Sequence, residues 1–341
     1  MKTRSLGKTG VEVSEICLGG LFTSSLGHGL EETVSILNAA QDLGITVIDT
    51  APAYGDSEEI LGKALKQTTY RPLISTKLGG RPQPFDPQST QGLMESVETS
   101  LKNLGCETID FLLIHEPDRP QQYNWFSSYS PLSGPVLEVI EKLKAQGKIR
   151  YSGLGGTTAT ELNWLCETGL FDVVLSAFNY NALYREAETH LFPTIDSHQM
   201  GLFLGSVLGQ GPLARRHDEI INAQETPVWL NRTRKEQLRQ YYKLSDDSGM
   251  SLVELSIRFA LRNQTVSTIL LGCKSADQLR LTCQIAQKGP LDEELAGKLD
   301  SIANLLPSRP YEEPMILPLG KDYYGPGPAN VAAAIPVGQE K

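Results

Sequence analysis

Residues 49–62 read Asp49-Thr50-Ala51-Pro52-Ala53-Tyr54-Gly55-Asp56-Ser57-Glu58-Glu59-Ile60-Leu61-Gly62. The short apolar run Ile45-Thr46-Val47-Ile48 leads into this stretch and a helical pattern leaves it. An acid therefore stands where a strand ends, with a tyrosine in the loop beyond. Two more ionisable residues close apolar runs in the same way: Lys77 follows Leu73-Ile74-Ser75-Thr76, and His115 follows Phe111-Leu112-Leu113-Ile114. In a parallel barrel the carboxyl ends of the strands share one face, and that face carries the chemistry. Asp49, Tyr54, Lys77 and His115 would meet there as a proton-donating site.

Working outward from this stretch, strands and helices alternate. Ser5 to Ser14 reads as a hairpin ahead of the main fold, because Gly-bearing turn chemistry separates two short alternating runs. Strands are expected at 15–18, 45–48, 73–76, 109–114, 149–154, 172–175, 201–204 and 266–271. Helices are expected at 31–43, 57–66, 87–104, 136–146, 159–168, 184–190, 234–244, 252–262, 276–287 and 292–305. Eight strand–helix units predict an α/β fold, a (β/α)8 barrel, over a doubly wound sheet. The connection 116–135 is long enough to be a functional loop. Its Tyr123, Trp125, Phe126 and Tyr129 would either wall a substrate pocket or pack the loop onto the barrel. A second insertion spans 210–232. The division expected is a barrel over 1–305 and a partly extended tail over 306–341, rich in Pro and Gly.

Composition fits one large domain or two smaller ones at 341 residues, with 40% hydrophobic and 21% charged residues. The formal net charge of −9 disfavours nucleic acid and acidic membrane surfaces as partners. Five cysteines, an odd count with no C-x-x-C pair, speak against a disulfide framework and for a reducing cytoplasm. No apolar run reaches the ~20 residues of a membrane helix, and no apolar stretch follows the basic N-terminus as in a signal peptide. The expectation is a soluble, cytoplasmic protein. His28, His190, His198 and His217 lack metal-ligand spacing, so no metal is expected. The basic clusters at Arg215-Arg216 and 232–235 read as solvated surface, with contact to cofactor phosphates from a mobile loop as the lesser alternative.

The four ionisable residues can be read chemically. A phenol with a pKa of about 10 is a weak acid at neutral pH. A buried ammonium beside it favours the phenolate, so Tyr54 would act as general acid, or as base in the oxidising direction, with Lys77 lowering its pKa. Asp49 would keep Lys77 charged, and His115 would donate a hydrogen bond to the substrate oxygen. Taken singly, each has a plainer reading: a turn aspartate, a snorkelling lysine, a packing tyrosine and a structural histidine.

Asp-Thr-Ala-x-x-Tyr-Gly-x-Ser-Glu-x-x-Leu-Gly at 49–62, Thr76-Lys77, Ile114-His115 after Asp110 and the hairpin Leu6-Gly7-Lys8-Thr9-Gly10 together resemble the aldo-keto reductases. The resemblance spans roughly 1–305. It implies a barrel that binds a nicotinamide cofactor without a Rossmann domain, and a small carbonyl or sugar as substrate. Asp49 would also lie at the cofactor. Ser206-Val207-Leu208-Gly209-Gln210-Gly211 is similar to the family's pyrophosphate loop, which implies Ser206, Leu208 and Gly211 as contacts. Gly272-Cys273-Lys274-Ser275-Ala276-Asp277-Gln278 is similar to its adenosine-phosphate motif, which implies Gly272, Lys274, Ser275 and Gln278. Lys274 and Ser275 at a helix start suit a 2′-phosphate, so NADPH is expected, with NADH as the alternative. Gly155-Gly156 stand where the family has a Ser-Asn pair against the carboxamide. Ser176, Asn179 and Asn181 stand nearest its glutamine. A cofactor-binding regulatory subunit with little turnover is the alternative function. A barrel hydrolase or lyase is a third.

Overall fold

The structure, a computed structural model, describes residues 1–120, 122–226 and 229–310; most of the expected 306–341 extension lies outside these residues. In chain order the elements begin with β1 (Thr3–Ser5) and β2 (Glu12–Ser14), then β3 (Ile16–Gly19), α1 (Gly29–Leu43), β4 (Val47–Asp49), α2 (Ser57–Leu65), β5 (Leu73–Leu78), α3 (Thr90–Leu104) and β6 (Ile109–His115). A small hairpin, β7 (Ser128–Tyr129) and β8 (Leu132–Ser133), precedes α4 (Pro135–Ala145), β9 (Ile149–Gly156), α5 (Ala159–Glu167) and β10 (Val173–Ala177). After them come α6 (Glu186–His190), α7 (Phe192–His198), β11 (Gly201–Gly205), α8 (Asp218–Asn222), α9 (Arg232–Ser248) and α10 (Leu252–Ala260). The last elements are β12 (Thr268–Gly272), α11 (Ala276–Gln287) and α12 (Glu293–Ala303).

Strands β3, β4, β5, β6, β9, β10, β11 and β12 close into one parallel barrel, with Ile269 to Gly272 paired against Ile16 to Gly19 at the seam. Each strand presents alternate residues to the two sides. Cys17, Val47, Phe111, Leu113, Val173, Leu175 and Phe203 form one apolar cluster inside the barrel. Neighbouring strand residues such as Ile48, Leu112, Ile114 and Leu154 join the larger cluster under the helices. The β1–β2 pair brings Leu6 and Val13, both fully buried, into the inner cluster, which plugs the amino end. Chemistry is left to the other end.

Most helices form where the sequence pattern places them. On α1, Thr33, Ile36, Leu37 and Ala40 are buried at helical spacing, and Gly44 stops the helix with a left-handed φ of 71°. Ser89 caps α3 by accepting from the Gly92 amide. Strand ends differ from the expected bounds. Asp49 and His115 are the last strand residues instead of the first beyond, and β5 runs one residue past Lys77. Both Gly155 and Gly156 belong to β9. Helices α7 and α8 are not among the expected helices; Pro193 sits in the first turn of α7, where its missing N–H costs nothing.

Candidate active site

Pleat alternation assembles the site. Val47 points into the barrel, so Asp49 two residues later does too; the same step leads from Leu73 to Ser75 and Lys77, and from Leu113 to His115. The strand pairings put Asp49 beside Ser75, Lys77 beside Leu113 and His115 beside Gly155. One polar layer therefore caps the apolar barrel interior.

Lys77 Nζ donates to Asp49 Oδ2 at 2.7 Å and to the Thr50 carbonyl at 2.8 Å, and Ser75 Oγ donates to Asp49 Oδ1 at 2.7 Å. Asp49 and Lys77 are both buried. Tyr54 comes in from the loop above, its ring centroid 4.8 Å from Lys77 Nζ and 6.2 Å from the His115 ring, edge to face. That loop is fixed from below. Ser57 Oγ donates to the Gly20 carbonyl at 2.6 Å and lies 2.8 Å from Thr50 Oγ1 and 3.2 Å from Thr23 Oγ1. The Ser57 amide donates to the Tyr54 carbonyl. The structure thus brings together all four residues expected from the sequence. Ser75, Ser57 and the Thr50 carbonyl are additions that sequence reasoning misses, although Ser75 is legible as the inward residue two before Lys77.

The electrostatics depart from the simple expectation in one respect. Burial raises the Tyr54 phenol; Lys77 opposes this, while Asp49 and Glu116 add to the rise, and the net shift is upward. From sequence, the ammonium is expected to lower it. The reason for the difference is burial, which penalises the phenolate more than Lys77 favours it; Asp49, whose carboxylate lies 2.7 Å from Nζ, adds to the rise. Burial alone would lower Lys77, but Asp49 and Tyr54 outweigh it and hold the ammonium charged. Burial, then Lys77 and Arg119, push His115 down to about 3, so it is a neutral imidazole at physiological pH.

Trp125 and Phe126 are fully buried in the long connection, and Trp125 Nε1 donates to the His115 carbonyl at 3.2 Å. The Trp125 ring packs on Phe85, with centroids 5.4 Å apart, and on Tyr123 at 5.9 Å. For Trp125 and Phe126 the packing alternative holds; Tyr129 is exposed and leans on Phe126 and Trp164.

The residues expected at the cofactor lie on the same end of the barrel, at the carboxyl ends of β9 and β12 and in the segments that follow β11 and β12. A side chain at Gly155 would point at Leu113 inside the barrel, whereas one at Gly156 would strike Asp118 and Leu162 outside it. Ser206, Gly209, Gln210 and Gly211 all have positive φ, at 60°, 58°, 57° and 136°. Within this turn the Gly209 and Gly211 amides donate to the Ser206 and Leu208 carbonyls, and nothing lies within 4 Å of the space a side chain at Gly211 would enter. Leu208 is partly buried in this loop and packs against the core. Gly272 faces the Phe22 ring, where an added Cβ would come within 3.1 Å, and Lys274 Nζ lies 4.9 Å from that ring's centroid. Ser275 and Gln278 cap α11: Ser275 Oγ accepts from the Gln278 amide at 3.3 Å, and Gln278 Oε1 accepts from the Lys274 amide at 2.8 Å. The space left open at Gly211 and the exposed Lys274 cation at the start of α11 suit a dinucleotide, while the Lys274, Ala276 and Gln278 amides there are already bonded within the chain. Asn179 Nδ2 donates to Ser176 Oγ at 3.0 Å, while Asn181 Oδ1 accepts from the Leu183 and Tyr184 amides as a turn residue. Arg234, expected as solvated surface, is fully buried against Gln237 and the Leu306 carbonyl.

A closed eight-stranded barrel with this polar cap defines a class, and comparison with known proteins agrees. The Aldo/keto reductase family profile matches residues 15–304. The chain belongs to that family. A protein from Schizosaccharomyces pombe described as a putative voltage-gated potassium channel subunit beta is 28% identical over 337 residues, covering 89% of this chain and 94% of that one. An NADH-specific methylglyoxal reductase from Escherichia coli is 27% identical over 314 residues, covering 82% of this chain and 92% of the relative. Among solved structures, the holo form of the aldo-keto reductase AKR11C1 from Bacillus halodurans superposes with a TM-score of 0.73 at 25% identity, covering 92% of this chain and all of the other. Among the described residues no helix is long and apolar enough to cross a membrane.

Proposed function

We propose that this aldo/keto reductase family member is a nicotinamide-dependent oxidoreductase acting between an aldehyde or ketone and the corresponding alcohol or sugar, with Tyr54 as its proton donor. The observation that carries the reading is the buried Asp49–Lys77 pair, 2.7 Å apart, with Lys77 Nζ 4.8 Å from the Tyr54 ring centroid. When bound, the cofactor supplies the hydride. The chain's own part is the proton and the field. Tyr54 is a protonated phenol throughout the neutral range and gives its proton to the oxygen of the reduced carbonyl. Lys77, held charged by Asp49, stabilises the phenolate left behind. Neutral His115 donates a hydrogen bond that orients the substrate oxygen, and Trp125 fixes the backbone that carries it.

NADPH is the proposed donor, with NADH as the alternative, because the exposed Lys274 stands beside the start of α11. Gly155, Ser206, Leu208, Gly211 and Gly272 would give backbone contacts along the dinucleotide, and Asp49 would lie under its reactive end. The same reading treats residues 1–305 as the catalytic unit and 306–341 as an extension. A cytoplasmic setting belongs to it as well, supported by the five unpaired cysteines. Relatives described as potassium channel subunits are what supports the alternative, a cofactor-binding subunit; the complete set of four residues favours turnover. The two part experimentally. NADPH and NADH consumption is followed against a panel of aldehydes, ketones and aldoses. Turnover that is absent from the whole panel despite tight cofactor binding would favour the subunit reading.

A further inference from the structure

The proposed cofactor site puts an anion at the start of α11, and the role of Glu32 depends on that reading. The same end of α11 already holds an anion. Glu32, in the first turn of α1, reaches across to the neighbouring helix, and its Oε1 accepts from the Ala276 amide at 3.0 Å. Ala276 is the first residue of α11. The Lys274 and Gln278 amides are taken by the reciprocal Ser275–Gln278 cap. A helix start favours negative charge because its first amides lack intrahelical acceptors. Here a side-chain carboxylate uses that preference. Close by, Asp277 is paired with Arg280 at 3.0 Å, and the exposed Lys274, just before the Ser275 cap, holds its ammonium 4.9 Å from the Phe22 ring centroid.

We propose that Glu32 sets the choice between NADPH and NADH by competing with a 2′-phosphate for the start of α11. Lys274 attracts the phosphate; the Glu32 carboxylate repels it and occupies an amide it would otherwise use. A ribose with free hydroxyls meets no such repulsion and can itself donate to a carboxylate. Glu32 therefore narrows the preference for the phosphorylated cofactor that Lys274 alone would create. The residue cannot be singled out from sequence, because it lies 244 positions from Ala276 and is joined to α11 only by the barrel's closure.

Glu32→Gln tests this cleanly, since the amide oxygen of glutamine still accepts from Ala276 and only the charge is lost. Dissociation constants of the full chain are measured by fluorescence titration for NADPH and NADH. Competition gives those of 2′,5′-ADP and 5′-AMP, which bind without reference to the catalytic residues. In Glu32→Gln, NADPH and 2′,5′-ADP should bind tighter by about tenfold, the scale of one charge–charge contact at a partly buried site. NADH and 5′-AMP should stay within about twofold of wild type, the mark of a charge effect confined to the phosphate. Lys274→Ala should weaken the phosphorylated pair. Unchanged ratios in Glu32→Gln, with Lys274→Ala still weakening NADPH, would overturn the role of Glu32 and leave the cofactor assignment standing. Insensitivity of NADPH binding to both substitutions would remove the assignment of α11 itself, and the proposal with it.

Discussion

Tyr54 and His115 sit 6.2 Å apart, ring to ring, and burial moves them in opposite directions on the pH scale. Tyr54 is raised above its ordinary value, so it holds its proton across the neutral range; His115 is lowered to about 3 and stays neutral there. Carbonyl reduction should accordingly be flat in single-turnover rate from about pH 5.5 to 9, with no limb near the ordinary histidine value of about 6.5. Alcohol oxidation, which needs the phenolate, should accelerate steadily toward alkaline pH. A reduction limb near 6.5 in the wild type, absent from His115→Gln, would mean that the imidazole titrates in the site. The same shift acts on stability. Between about 6.5 and 3 the unfolded histidine is protonated and the folded one is not, so acidification through that window favours unfolding. Denaturant midpoints of His115→Gln should fall less steeply than wild type over that range.

At the scale of elements, each functional side chain is placed by the end of one strand and held by a loop packed from outside. The β6–α4 connection shows this directly: Trp125 is fully buried, bonds the His115 carbonyl and rests against Gly79, where an added side chain would come within 3.2 Å of the indole. Trp125→Ala should cost about 3–5 kcal/mol of stability, as large aromatic truncations in cores do. Chemical denaturation measures that directly, and a loss below about 1 kcal/mol would show that the indole does not anchor the loop. Strand ends are legible from the sequence because a buried parallel strand leaves an unbroken apolar run that an ionisable residue visibly terminates. The β7–β8 hairpin is not, since two-residue strands carry no period. Ser275 and Gln278 teach a different lesson. Their S-x-x-Q spacing is a capping pattern, and the structure uses it as one, whereas the motif resemblance alone points to phosphate contacts for both.

Taken whole, the molecule divides its barrel into a sealed end and a reactive one. Leu6 and Val13 close the amino end, and seven inward apolar residues from the strands fill the interior. Above them lies the polar layer of Asp49, Ser75, Lys77 and His115, of which Asp49, Ser75 and Lys77 are buried, so the charges of Asp49 and Lys77 must be satisfied within the layer. The bonds of Lys77 to Asp49 and the Thr50 carbonyl, and of Ser75 to Asp49, do this. The barrel is legible in the sequence but its residue-level contacts are not: the pairing of Ile269 with Ile16 and the reach of Glu32 to α11 exist only once the first and last strands meet. The central claim is that this layer delivers a proton through Tyr54. The direct test is single-turnover reduction of a reactive aldehyde by prebound NADPH, which separates chemistry from product release, comparing wild type with Tyr54→Phe. The ring and its packing are kept while the proton is removed. The rate should fall by about 10²–10⁴, the usual value of general acid catalysis, with cofactor affinity unchanged. Reduction by Tyr54→Phe at the wild-type single-turnover rate would contradict proton delivery through Tyr54.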